Sequence, residues 1–168
     1  MESKVAQPLD PVEFRKAVGH FASGVTVVTA EREGQQFGAT ISAVSSLCAE
    51  PPMVLVCLNR RLGTHAAIQA SGHFTINILG EGHGDLALGF ATAGADKFRD
   101  VDWVPTRYGA HLTGAIAHLF CRVVDGVDGG THRIFVAEVV EAVTGSTHGP
   151  LSYFRGRFGR FVPQEEAS

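Results

Sequence analysis

Two hydrophobic periods divide this chain, a short stretch at helical spacing followed by many runs with β character. Near the N-terminus Phe14, Ala17, Val18, Phe21 and Ala22 recur at three- and four-residue steps, the stripe of an amphipathic helix. Asp10 suits the N-cap, Pro11 the first helical position, and Glu13 can reach back to the cap, so the helix is predicted to start there and to end at Gly24. Met1–Leu9 is polar and irregular, which predicts a flexible tail. Val25–Ala30 predicts a strand, Glu33-Gly34 a turn, and Phe37–Ala43 the returning strand. Met53–Leu58 is apolar without interruption, which predicts a strand buried on both faces. Thr64 is predicted to cap a short helix, His65–Ser71, that Gly72 terminates.

Further along, His73–Leu79 predicts a strand, Gly84–Ala93 a helix, and Asp96–Tyr108 a long, partly ordered excursion. Gly114–Val124 and Thr131–Val143 are the longest β-like runs. Asp125–Gly130 between them is rich in residues that tolerate positive φ, so a hairpin is predicted. Leu151–Phe161 is aromatic and basic at once. Short strands, Gly-rich turns and few helices make this a mostly β chain, an antiparallel barrel or a sandwich. No G-x-G-x-x-G follows a strand and opens a helix, which excludes a dinucleotide fold of the doubly wound kind.

A length of 168 residues suits one domain, expected over residues 10–162. With 45% apolar and 18% charged residues the chain is expected to be globular, not disordered. A net charge of -3 offers no basis for a nucleic-acid or anionic-membrane partner. No apolar stretch approaches the ~18 residues of a membrane helix, and the first ten residues lack a signal-peptide core, so the expected location is the cytoplasm. Cys48, Cys57 and Cys121 are widely spaced and are expected to act as small hydrophobes. The eight histidines form no metal-binding spacing, and most are expected at the surface or in loops.

The chemistry concentrates in hydroxyls. Thr40, Ser42, Ser45 and Ser46 lie within seven residues, ahead of Pro51-Pro52. They could meet a planar polar ligand, or satisfy neighbouring backbone in a turn. Thr40 and Ser42, two apart, would share one strand face, with Ile41 and Ala43 turned to the core. Asn59-Arg60-Arg61 with Thr64 could hold a phosphate, or form a basic surface loop.

Several segments, taken in order, resemble the flavin reductase family, the small reductase components of two-component flavin monooxygenases. They are Phe21–Thr29, Gly38-Ala39-Thr40-Ile41-Ser42, Ser45-Ser46, Pro51-Pro52 with Met53–Leu58, Phe74–Leu79, Asp96-Lys97-Phe98 and Gly130–Val139. The resemblance implies a split β-barrel of the FMN-binding type that dimerises, with flavin near the subunit interface. It implies that Thr40, Ser42, Ser45, Ser46 and backbone near Ala43 contact the ribityl chain and ring. Asn59, Arg60 and Thr64 approach the flavin tail by the same resemblance, and Lys97 and Phe98 lie near the flavin. His132 would face the flavin where nicotinamide stacks, although Thr131 replaces the family's usual aspartate. The implied activity is reduction of free FMN or FAD by NADH or NADPH, with the flavin carrying the hydride chemistry. The reduced product would pass to a monooxygenase partner. Two alternatives are a flavoprotein with permanently bound FMN, acting as oxidase or electron carrier, and a non-redox ligand- or heme-binding module. A dialysed protein that stays yellow would favour the first, and a Soret band the second.

Overall fold

The computed structural model describes residues 9–94, 96–145 and 148–164; of the expected tail, Met1–Leu9, residues 1–8 lie outside them. Helix α1, Pro11–Val18, starts as its residues dictate, with Asp10 Oδ1 accepting from Val12 N and Pro11 in the first turn. It ends at Gly19, earlier than Gly24, because Ser23-Gly24 form a short strand, β1, paired with β11, Leu151–Phe154. The helix buries none of its residues, and Phe21, expected on its core face, is 79% exposed.

Strands β2, Thr26–Arg32, and β3, Gln35–Ile41, form a hairpin through Glu33 and Gly34, both at positive φ as a two-residue turn requires. After Ser42 and Ala43 come β4, Val44–Ala49, and β5, Pro52–Asn59. Helix α2, Gly63–Ser71, closes on Gly72 in the left-handed region, as expected. Thr64 does not cap it. Leu62 occupies that position, and Thr64 is buried in the first turn. Next come β6, His73–Ile78, α3, Gly84–Ala91, β7, Trp103–Val104, and β8, His111–Leu112. The long hairpin β9, Ala117–Gly129, and β10, His132–Thr144, follows, and β12, Arg157–Arg160, pairs with β11.

Seven strands form one antiparallel sheet in the order β3-β2-β6-β9-β10-β5-β4, so the described residues are mostly β with three helices. The sheet is strongly curved. Ala39 and Ile41 near one edge share a core with Val54, Val56 and Leu58 near the other, together with Ala67 and Ile68 of α2. A second core lies on the opposite face of β2 and β6, where α3, residues 98–115 and β11–β12 cover Val25, Val27 and Leu79.

Two strand expectations change. Met53–Leu58 is not buried on both faces: Val54, Val56 and Leu58 point inward, while Met53, Leu55 and Cys57 are half-buried on the outer face. Residues 125–129, expected in a loop, continue β9, and only Gly130 and Thr131 make the turn. Gly126 sits in the strand opposite Phe135 with the Arg133 guanidinium across it; a Cβ there would stand 2.7 Å from Arg133 Nε, so that side chain would have to shift. Trp103 packs against Phe98 at 5.7 Å between ring centroids.

The cysteines are all free. Cys121 is buried and its thiol pKa is pushed up to about 12 by burial, whereas Cys48 is exposed, its thiol donating to Pro51 O. His65 and His118 are buried, the exceptions to the expectation that most histidines lie at the surface or in loops. Among the described residues no helix is long and apolar enough to cross a membrane.

Candidate functional site

The N-terminal half of β3, the start of α2, Ala93-Gly94 and Asp96–Phe98 line a groove of about 500 Å³. Gln36, Gly38, Arg61, Thr64, Lys97 and Phe98 are among its lining residues. Gly38 is required where it stands, because a Cβ would lie 2.5 Å from the Phe90 ring of α3. Phe98 packs edge-on against the same ring at 5.1 Å. Lys97 Nζ donates to Phe90 O at 2.8 Å and to Gly38 O at 3.2 Å. Burial lowers the Lys97 pKa, and no carboxylate among the described residues pairs with it. Arg61 also lacks a carboxylate partner there. Gln36 Oε1 is buried without a hydrogen-bond partner. With no side-chain cap on α2, its first-turn amides are open to an acceptor. Two cations, helix amides and an orphan acceptor suit a phosphorylated ligand that also carries donors.

A second groove, of about 990 Å³, opens at the other end of β3. Ser42 and Ala43 line it with Val12, Val18, Phe21, Tyr153 and Arg155. Ala43, expected to face the core, is exposed here, and its carbonyl accepts from Cys57 N at 2.9 Å. A mainly apolar wall with Ser42 and Arg155 at hand suits the flat body of an aromatic ligand.

Thr40 lies between the grooves with its hydroxyl already engaged, donating to Ala87 O of α3 at 2.6 Å. Thr40→Val is therefore expected to lower stability by about 1 kcal/mol, read as a reduced urea midpoint at unchanged slope. An unchanged midpoint would mean that this bond contributes nothing. Ser45 and Ser46 sit in strand β4, not in a turn, and both are exposed. They pair with Leu55 and Val54 and so face opposite sides of the sheet. Within one chain they do not join Thr40 and Ser42 in a common cleft.

Asn59, Arg60 and His132 form a third group. His132 opens β10 and is paired with Asn59, the last residue of β5. The ring Nδ1 lies 2.9 Å from Thr131 Oγ1. Directly paired strand residues share a face. His132 thus stands at the end of an outer apolar strip formed by Leu55, Cys57, Ile134 and Val136, which the chain leaves half-exposed. Asn59 Oδ1 accepts from Arg61 N at 3.0 Å, and the Arg60 side chain runs to the β9–β10 turn. Sequence reasoning missed Gln36, for which no local signal exists; Arg61 stood in the basic run read as a possible phosphate holder, but the family resemblance pointed to Arg60. Among the described residues no group of three or more His, Cys, Asp or Glu could hold a metal ion.

A curved antiparallel sheet with polar and apolar grooves at the two ends of one strand defines a small β protein suited to an extended, phosphorylated, aromatic ligand. The sequence model described as flavin reductase like domain matches residues 18–161, and the chain belongs to that family. It is 65% identical over 167 residues to the reductase component of a Rhodococcus opacus 4-nitrophenol 4-monooxygenase/4-nitrocatechol 2-monooxygenase, covering 99% of this chain and 90% of the relative. An NADH-dependent FAD reductase of Streptomyces globisporus is 34% identical over 170 residues, covering 98% and 93% of the two chains. The fold is similar to that of the Streptomyces globisporus C-1027 NADH:FAD oxidoreductase solved with NAD and FAD fragments. That similarity has a TM-score of 0.87 at 33% identity and covers 96% of this chain and all of that one.

Proposed function

We propose that this chain reduces free FMN or FAD with NADH or NADPH and supplies the reduced flavin to a flavin-dependent monooxygenase that hydroxylates a phenol of the nitrophenol kind. The observation that carries this reading is the pair of grooves at the two ends of β3, polar and cationic at Gln36–Gly38 and apolar at Ser42–Ala43. One extended ligand laid along the strand would meet both. Arg61, Lys97 and the start of α2 hold its phosphate end, Thr64 lines that end, and Phe98 walls it. Ser42 and the backbone of Ala43 border the ring. Bound flavin supplies the redox chemistry, accepting a hydride from nicotinamide and a proton from solvent. The chain's own part is to orient the two rings and to exclude water between them.

His132 lies in neither groove of the single chain. A homodimer built on the strip Leu55, Cys57, Ile134 and Val136 would bring a partner's groove toward it. The same contact would place Ser45, Ser46, Asn59 and Arg60 at the site's rim. The uncovered apolar faces of the strip and of α1 support this arrangement. Light scattering is expected to give twice the chain mass of 17.8 kDa at micromolar concentration. A monomer would remove His132 from the site. The shared core of the two sheet edges supports a split β-barrel over one domain, residues 10–162. That no helix among the described residues is long and apolar enough to cross a membrane agrees with a cytoplasmic location. The direct test is anaerobic oxidation of NADH and NADPH with FMN, FAD and riboflavin in turn. No nucleotide oxidation with any flavin would overturn the proposal.

A further inference from the structure

Two arginines follow β5, and their side chains go to different places. The Arg60 amide donates to Thr131 O at 3.0 Å, and its Nη2 donates to Gly130 O at 2.7 Å. Nη1 lies 3.8 Å from Asp128 Oδ2, while Asp128 Oδ1 accepts from Arg133 Nη1 at 2.8 Å. Both carbonyls of the two-residue turn before His132 are therefore held by one residue. Arg61 has no such partners among the described residues and lines the polar groove with Thr64 and Lys97.

We propose that Arg60 is a positioning residue for His132, acting through the Gly130-Thr131 turn with Asp128 as its counter-anchor, and that Arg61 is the arginine that meets the flavin phosphate. The inference rests on the flavin-reducing function proposed above. The turn needs such a clamp. It joins two 13-residue strands at their far end, with Gly130 at φ +56°, and β5 supports it only as far as Asn59. Arg60 is the first residue past that ladder. By fixing the carbonyls of Gly130 and Thr131 it sets the two peptide planes that lead into His132. Its fork reaches a carbonyl and a carboxylate together, which a lysine ammonium on a flexible stem does not reproduce. Asp128 in turn is held between two guanidinium groups, so the clamp is tied to both strands of the hairpin.

The test uses the full-length protein with FMN and with riboflavin, which lacks the phosphate. Flavin affinity is read by fluorescence quenching, and hydride transfer from NADH by anaerobic stopped flow at saturating flavin. Arg60→Lys and Asp128→Asn are expected to slow hydride transfer by about tenfold while the ratio of FMN to riboflavin affinity stays at the wild-type value. Asp128→Glu should restore part of the rate. Arg61→Ala is expected to weaken FMN by about tenfold and to leave riboflavin affinity unchanged. If Arg60→Lys or Arg60→Ala instead weakens FMN selectively with an unchanged rate, Arg60 is a phosphate ligand and the proposal is overturned. Wild-type rates and affinities in both Arg60→Ala and Asp128→Asn would overturn it as well. A wild-type protein that oxidises no NADH with either flavin points to a different failure, that of the function itself.

Discussion

His132→Ala is expected to slow hydride transfer by about a hundredfold while flavin affinity changes little. The imidazole sits at the end of the outer strip, in neither groove of the single chain, and in the proposed homodimer it would orient the nicotinamide and leave the flavin phosphate to Arg61. Its position is constrained on three sides, by Asn59 across the ladder, by Thr131 Oγ1 at Nδ1 and by the clamped turn behind it. A misplacement of reacting rings by about 1 Å can cost on the order of a hundredfold in rate. Single-turnover flow with preformed flavin complex separates this effect from binding. A variant with wild-type hydride transfer would make His132 a turn residue at the protein surface.

The second large effect is expected from acid. His118 on β9 is only 4% exposed, with Nδ1 3.0 Å from Asn77 Oδ1 and its ring 3.8 Å from that of His111 on β8. Burial, and then the neighbouring His111, push its pKa down to about 4 from the ordinary 6.5. The unfolded chain takes up this proton near pH 6.5 and the folded chain only near pH 4, so the unfolded state binds more protons in between. The sign follows directly: stability is full above about pH 6.5 and falls as pH drops toward 4. The loss from this group approaches roughly 3 kcal/mol, taking 1.36 kcal/mol per pKa unit. Urea titrations at pH 7.5 and 4.5 should show that fall in wild type and a much smaller one in His118→Gln. Equal falls in both proteins would assign the acid sensitivity to other groups. Flavin affinity should decline over the same range. Asn77 Oδ1 also accepts from Leu112 N, and the segment carrying His111 and Leu112 packs, through Trp103, behind Phe98 in the polar groove.

Much of the architecture is legible in short-range signals. The Asp10-Pro11 helix start, the Glu33-Gly34 turn, the Gly72 stop and the existence of the long hairpin all depend on the φ preferences and capping groups of a few adjacent residues. The expected errors fall where the deciding contact is remote. Helix α1 loses its last turn to pairing with β11, which lies far along the chain. Gly126 looks like a loop residue, yet pairing with Phe135 carries β9 past it. His118 carries no local mark of burial, because Asn77 and His111 are brought to it by strand pairing.

The candidate site divides in the same way. Residue types settle what chemistry is on offer: hydroxyls at Thr40 and Ser42, guanidinium groups at Arg60 and Arg61, an ammonium at Lys97, an imidazole at His132. A strand period places neighbours on a face, so sequence alone determines that the chain is mostly β and that these groups gather in a few segments. Which hydroxyl is open to a ligand, and which arginine, is a matter of who reaches it first. Ala87 O takes Thr40, Gly130 O takes Arg60, and Arg61 is left in the groove with Lys97. Those assignments depend on the curvature of the sheet and the packing of α3 and the hairpin turn. Only the tertiary structure decides them, because each hydrogen bond joins residues dozens of positions apart whose separation no local preference encodes.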